Sequence, residues 1–388
     1  MRPERSAQRL LSITRSKAKM YEYDVPEEEH IGVPQRPEIL FSLAVGLLGD
    51  AAAGIAADAA DSRREITPLE TLTFSGIYFD AYLQSRLSDV GELEFPILAA
   101  ASYYLADNPG SAKVLINRAE PPPPQLGSGL AMLTYRLLGG DYSPIPTAPY
   151  ANFANSLLAQ LATYLNGEGE ATEVLSMTRS SRREAYVSGD GRELLYADVV
   201  AATVRKKIAN SAAATLPDAS GIGIDVWRTY LPRPHFPREL WPSQQRICAA
   251  GVLRGQSCII QMPTSAGKTR ATELILRSAF LSDRVSLAVM VCPFRSLCHD
   301  IRGDMSRAFA GDNVALNEAT DSFQQDLSAS SSPISHPATI AAFARTALRA
   351  WSNRLPLRTQ ESNQHGFADS CKSACASCTG LHRSCLRT

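Results

Sequence analysis

The chain lacks an excess of either charge: 39 basic and 39 acidic residues cancel to a formal net charge of zero. No global positive field therefore draws it to a polyanion, and any contact with nucleic acid has to come from a local patch. It also lacks a long apolar run. Crossing a bilayer takes roughly 20 apolar residues, and the best stretch, Ile39 to Gly49, stops at Asp50. No membrane partner is expected. The N-terminus, Met1-Arg2-Pro3-Glu4-Arg5-Ser6, is basic but is not followed by an apolar segment ending in a small-residue cleavage site. Nothing in it directs export, so the cytoplasm is the expected location. Cysteine is absent before Cys248. Cys248, Cys258, Cys292 and Cys298 each sit in an apolar segment and read as small core residues of a reducing compartment. The other four, Cys371, Cys375, Cys378 and Cys385, crowd the end of the chain. With His382 they have the spacing of zinc ligands, and the first three have that of an iron–sulfur site. Accidental crowding in an unfolded tail is the simpler account, because no core surrounds them.

What is present divides by pattern. At 388 residues the chain is long enough for two or three domains. Residues 1–38 are polar, carry Glu27-Glu28-Glu29 and are interrupted by proline, which predicts an extended or loosely docked leader. Residues 39–230 are rich in Ala and Leu. Apolar positions recur there at helical spacing, as in Leu157, Leu158, Leu161 and Leu165, so the region is expected to be α-helical. The break at 121–129, with four prolines and two glycines, is a candidate boundary between two helical subdomains. Arg179 with Ser180 to Arg183 reads as a small solvated basic turn. Pro232, Pro234, Pro237 and Pro242 then punctuate a linker.

A different period follows over residues 231–330. Gln244 to Leu253 has helical spacing, Ser257 to Met262 suits a buried strand, and Lys268 to Leu281 is helical again. Val285 to Val291 is a second β-branched run, and Phe294 to Phe309 is amphipathic. Strand, loop, helix, strand, helix is the order of an α/β domain with a parallel sheet. Residues 331–388 are expected to form a tail, with an Ala-rich stretch from Ala338 to Trp351.

Between the first strand and its helix stands Met262-Pro263-Thr264-Ser265-Ala266-Gly267-Lys268-Thr269. A strand, a turn and a helix start are what a phosphate-binding loop requires: backbone amides can surround phosphate oxygens, and the helix adds the positive end of its dipole. Gly267 permits close backbone approach, Lys268 supplies a mobile charge, and the Thr269 hydroxyl can hold Mg²⁺. The octet departs from the general pattern at its first position, where Met262 replaces glycine. Pro-Thr, two small residues and Gly-Lys-Thr resembles motif I of the superfamily 2 helicases of the DEAD/DEAH-box group. Leu240-Trp241-Pro242-Ser243-Gln244 looks like that family's adenine-recognising segment, and Val291-Cys292-Pro293-Phe294-Arg295-Ser296-Leu297 looks like motif Ia.

The resemblance implies a RecA-like α/β nucleotide-binding fold behind a mostly helical region. Thr264 to Thr269 would hold ATP and, through Thr269, Mg²⁺. Gln244 would read adenine, and Pro293, Arg295 and Ser296 would contact the backbone of a single strand of DNA or RNA. Lys268 and Thr269 are the residues on which catalysis would depend. The family's extensions also dock protein partners, which makes the helical region a candidate for such a role. Motif II, the acidic pair that completes the Mg²⁺ shell, is not evident: Asp never stands beside Glu after Thr269, and Asp312, Asp321 and Asp326 are the nearest substitutes. The expectation is an interrupted helicase, ending in a stretch unrelated to the parent fold and hydrolysing little ATP. Two rivals stand beside it: a helical interaction scaffold with a vestigial loop, and another phosphate-loop phosphotransferase, which has no use for Trp241 to Gln244.

Overall fold

The computed structural model describes residues 5–32, 37–57, 68–84, 94–119, 129–145, 150–263, 266–319 and 338–344. It divides into two compact units, Met1–Ser286 with Asp304–Asn313, and Leu287–Gly303 with Val314–Thr388.

The first unit is helical. Its helices are α1 (Arg5–Glu22), α2 (Pro37–Ala56), α3 (Pro68–Gln84), α4 (Phe95–Leu105), α5 (Pro109–Arg118), α6 (Gly129–Gly139), α7 (Ala151–Leu165), α8 (Ala171–Ser188) and α9 (Gly191–Ala209). One core runs through all nine. Leu47 and Leu48 of α2, Tyr78 and Phe79 of α3, Ile97 of α4 and Tyr196 of α9 are fully buried in it. Fully burying one such side chain contributes roughly 1.5–3 kcal/mol, so a core of this extent can hold helices that would be marginal alone. α9 starts on a capping box: Asp190 accepts from the Glu193 amide at 2.9 Å, and Glu193 reaches back to the Asp190 amide.

Three local expectations differ from what is found here. The leader is not extended, because residues 5–22 form α1, with Ala7, Leu11, Thr14 and Ala18 buried on one face. Small side chains at helical spacing are enough to seat an otherwise polar helix. Arg179 to Arg183 is not a turn but lies inside α8, where the rest of the helix supplies the packing. The proline-punctuated linker is docked: the Leu240 amide donates to the Asn210 carbonyl at 2.8 Å, the Ala212 amide to Arg238 at 2.9 Å, and Leu231, Phe236 and Leu240 are buried. These prolines make turns that fold the segment onto its neighbours.

A second core begins at Ala212. It joins α10 (Ala212–Ser220), α11 (Ile224–Trp227), the docked segment, α12 (Pro242–Ala249), a 3₁₀ turn (Val252–Arg254) and α13 (Lys268–Leu281). The residues from Gln256 to Gln261 are exposed, Ile259 at 87%, and no strand is formed from Ser257 to Met262. A strand needs a hydrogen-bonded neighbour, and no sheet pairing among the described residues includes this run. Cys258, in the same run, is exposed rather than buried; Cys248, Cys292 and Cys298 are buried as expected.

The other unit holds a parallel sheet of β1 (Leu287–Cys292), β2 (Val314–Ala319) and β3 (Ala338–Ala344) in the order β1-β3-β2. Val289 pairs with Ala341, and Leu316 with Ile340. The central strand thus lies in the stretch expected to be a tail. Ala338 to Ala344 owes its strand character to two flanking partners distant in sequence. α14 (Arg295–Ala308) follows β1. No helix among the described residues is long and apolar enough to cross a membrane.

Candidate functional site

The expected phosphate loop ends where α13 begins. Gly267 is the residue before the helix and has φ +84°, a left-handed conformation. A Cβ there would stand 2.7 Å from Gln244 Nε2, which would have to shift, while the left-handed backbone angle itself favours glycine. Lys268 and Thr269 open the helix, and both are exposed. Among the described residues no side chain caps this N-terminus, and no acid lies in its first turn. The first amides of a helix have no intrahelical partner, so the end is open to an anion. Ala266 is half-buried, and Thr264 and Ser265 lie outside the described residues.

The segment before α12 holds the loop from the side. Ser243 Oγ donates to the Ala266 carbonyl at 2.9 Å. Gln244 is buried, and its Oε1 accepts from the Trp241 amide at 2.9 Å while Nε2 faces Gly267. Trp241 lies between two glycines: its ring is 3.8 Å from a Cβ placed on Gly267 and 3.7 Å from one placed on Gly110 of α5. The helical region thereby reaches the loop through one indole.

α13 is clamped beneath. Ala271 and Leu274 enter the second core, and Ser278 Oγ donates to the Leu253 carbonyl at 2.7 Å. Arg277 pairs with Asp312 at 2.6 Å and donates to the Ala308 carbonyl at 2.7 Å, while Arg233 reaches the other Asp312 oxygen at 2.6 Å. Asp312 is therefore a partner of two arginines. It is held at Arg277, nine residues or about 13 Å along the helix from Lys268. Asp321 and Asp326 lie outside the described residues.

Behind Trp241 is a buried ionic network. Lys207 of α9 pairs with Glu239, and the Tyr104 hydroxyl donates to the other Glu239 oxygen. Burial works against the charged form of Lys207, but the adjacent Glu239 carboxylate and Tyr142 outweigh it and raise the ammonium above its usual range. Tyr104 is pushed well above the ordinary phenol value by burial and then by Glu239. A cavity of about 490 Å³ opens beside this network, with Tyr142 and Trp241 in its wall. Nothing in the sequence alone marks Lys207 or Glu239. Ser243 stands within the segment that includes Gln244, but no local pattern signals its bond to a carbonyl 23 residues on.

In the sheet unit, Pro293 ends β1, and Arg295 and Ser296 open α14; all three are exposed. No cluster of three or more metal-ligating side chains occurs among the described residues, and Cys371 to Cys385 lie outside them.

Residues 241–352 match the DEAD/DEAH box helicase family, which supports a DEAD/DEAH-type helicase domain in that part of the chain. The match runs through β3. A stretch of 71 residues is 28% identical to the Hachiman protein HamB of Bacillus cereus, covering 18% of this chain and 6% of that protein.

Proposed function

We propose that residues 241–352 form the ATP-binding part of a RecA-like motor domain that acts on nucleic acid. The observation that carries this is the open N-terminus of α13, with left-handed Gly267 and exposed Lys268 and Thr269, latched by Ser243 and walled by Gln244. Bound ATP would supply the phosphoanhydride and Mg²⁺ the counter-charge. Of the chain's own residues, Lys268 would hold the β- and γ-phosphates, the Thr269 hydroxyl would ligate the metal, and the amides after Gly267 would donate to phosphate oxygens. Gln244 borders the same end and reads adenine. Arg295 and Ser296, with Pro293, meet the backbone of a single strand without reading its sequence.

No Asp-Glu pair follows Thr269 in this polypeptide, so orientation of the attacking water is its weak step. The test is calorimetric titration with ATP and Mg²⁺. Binding is expected for the natural chain and lost in Lys268→Ala, with phosphate release in both indistinguishable from background even with single-stranded nucleic acid present. Equal heats for the two proteins would remove the loop from the reading and favour a scaffold; turnover on the order of one per second would mean that an acid outside the described residues does the work of motif II.

A further inference from the structure

The family match begins at Trp241, and Trp241 is the side chain that lies against both the phosphate loop and the helical region before it. Its main chain is fixed from α9: the Leu240 amide donates to the Asn210 carbonyl at 2.8 Å, and Glu239 pairs with Lys207. Its ring has a seat on α5, where Cζ3 and Cη2 are each 3.7 Å from a Cβ placed on Gly110. The adjoining ring atom, Cε3, is 3.8 Å from a Cβ placed on Gly267. Three consecutive atoms of one rigid edge thus touch the two glycines, so the ring cannot shift at one without shifting at the other. Gly110 lacks the positive φ that explains Gly267. What its missing side chain makes room for is the indole.

We propose that Trp241 is a positioning residue through which α5 of the helical region sets the affinity of the loop for ATP. The proposal rests on the reading of the loop as a nucleotide site. The amides after Gly267 can meet a phosphate only while Gly267 keeps its left-handed φ of +84°, and the ring packed on it limits its movement. The ring also has somewhere else to go, since the cavity of about 490 Å³ has Pro109, Lys113 and Trp241 in its wall. Seated and displaced rings are then two states that the loop tells apart. If the seated ring favours ATP, bound ATP favours the seated ring by the same factor, so α5 registers the nucleotide.

The test is a double-mutant cycle on the full chain, read by calorimetric titration with ATP and Mg²⁺. Gly110→Ala adds a methyl at ordinary contact distance from the ring and should bind within about twofold of the natural chain. Gly110→Leu fills the seat, displaces the ring and should bind about fivefold or more weakly. In a Trp241→Phe background, whose smaller ring leaves room, the same leucine should weaken binding less than about twofold. Gly110→Val repeats the cycle with less bulk, and urea unfolding checks that each variant is folded. Hydrogen exchange reads the converse effect: ATP should slow exchange in the peptide from Pro109 to Arg118 of the natural chain, and not in Trp241→Ala. Natural affinity in Gly110→Leu would overturn the proposal, as would an equal loss in both Trp241 backgrounds or exchange in α5 that ignores ATP. No ATP binding by the natural chain would remove the nucleotide loop and this proposal together, whereas binding that is indifferent to Gly110 would remove the role of Trp241 alone.

Discussion

Isoleucine has opposite fates in two regions of the first unit. Ile97 and Ile116, in α4 and α5, are fully buried, whereas Ile259 and Ile260, just before the phosphate loop, are 87% and 42% exposed. The helices close their backbone hydrogen bonds internally and need only a face to bury. Without strands on its flanks, the run from Ser257 to Met262 leaves its backbone to water and its isoleucines uncovered. The helical region is thus self-sufficient, while the loop owes its geometry to what grips it from the side and below: Trp241, Ser243, Gln244 and the body of α13.

The sharpest way to break that contrast is at Glu239, where the helical region meets the segment leading to Trp241. Glu239→Leu leaves the Lys207 ammonium buried without its partner, and is expected to cost about 3–5 kcal/mol in urea unfolding. Glu239→Leu combined with Lys207→Met and Tyr104→Phe removes the polar groups together and should recover most of the loss. A triple variant no more stable than the single one would mean that the network is not what joins the regions. The same network sets an alkaline limit. Lys207 and Tyr104 both have folded values above their ordinary ones of 10.5 and 10.0. Groups raised on folding lend stability that is complete below their unfolded values and lost as pH climbs through the folded ones. Unfolding free energy should therefore fall above about pH 10, and less steeply in the triple variant.

Gly267→Ala probes the loop itself. The left-handed backbone and the contact with Gln244 Nε2 predict a loss of about 1–3 kcal/mol, with ATP binding weakened in parallel. If Gly267→Ala binds ATP normally, the conformation described is not the one that holds phosphate. Combining it with Gln244→Ala relieves the contact but not the φ, so stability should return only in part.

Local signals make much of this legible. α13 begins at Lys268 and ends at Leu281, as its spacing predicts, because a phosphate loop announces its helix and the apolar period carries it on. β1 and α14 follow for the same reason. What stays hidden is non-local. Lys207 and Glu239 are 32 residues apart, and neither stands in a motif. Ala338 to Ala344 is alanine-rich and looks helical, and only pairing on both sides makes it a strand. Arg179 to Arg183 looks like a turn when its serines and arginines are weighed by composition, whereas the residues on either side carry it inside α8.

The smallest effect expected is chemical, with no change in stability, and it compares the same two environments through cysteine. Cys248 is in the second core, where burial pushes its thiol up to about 11; Cys258 stands exposed in the unpaired run. Alkylation needs the thiolate and access to it, and at pH 8 Cys248 has little of either. Brief iodoacetamide treatment of the native chain, read peptide by peptide in a mass spectrometer, should label Cys258 and spare Cys248, and urea should abolish the difference. Protection of Cys258 in the native chain would show that strands do cover the run from Ser257 to Met262 in solution. The contrast between the two regions would then vanish, and the loop would draw its support from a sheet rather than from Ser243 and Gln244 alone.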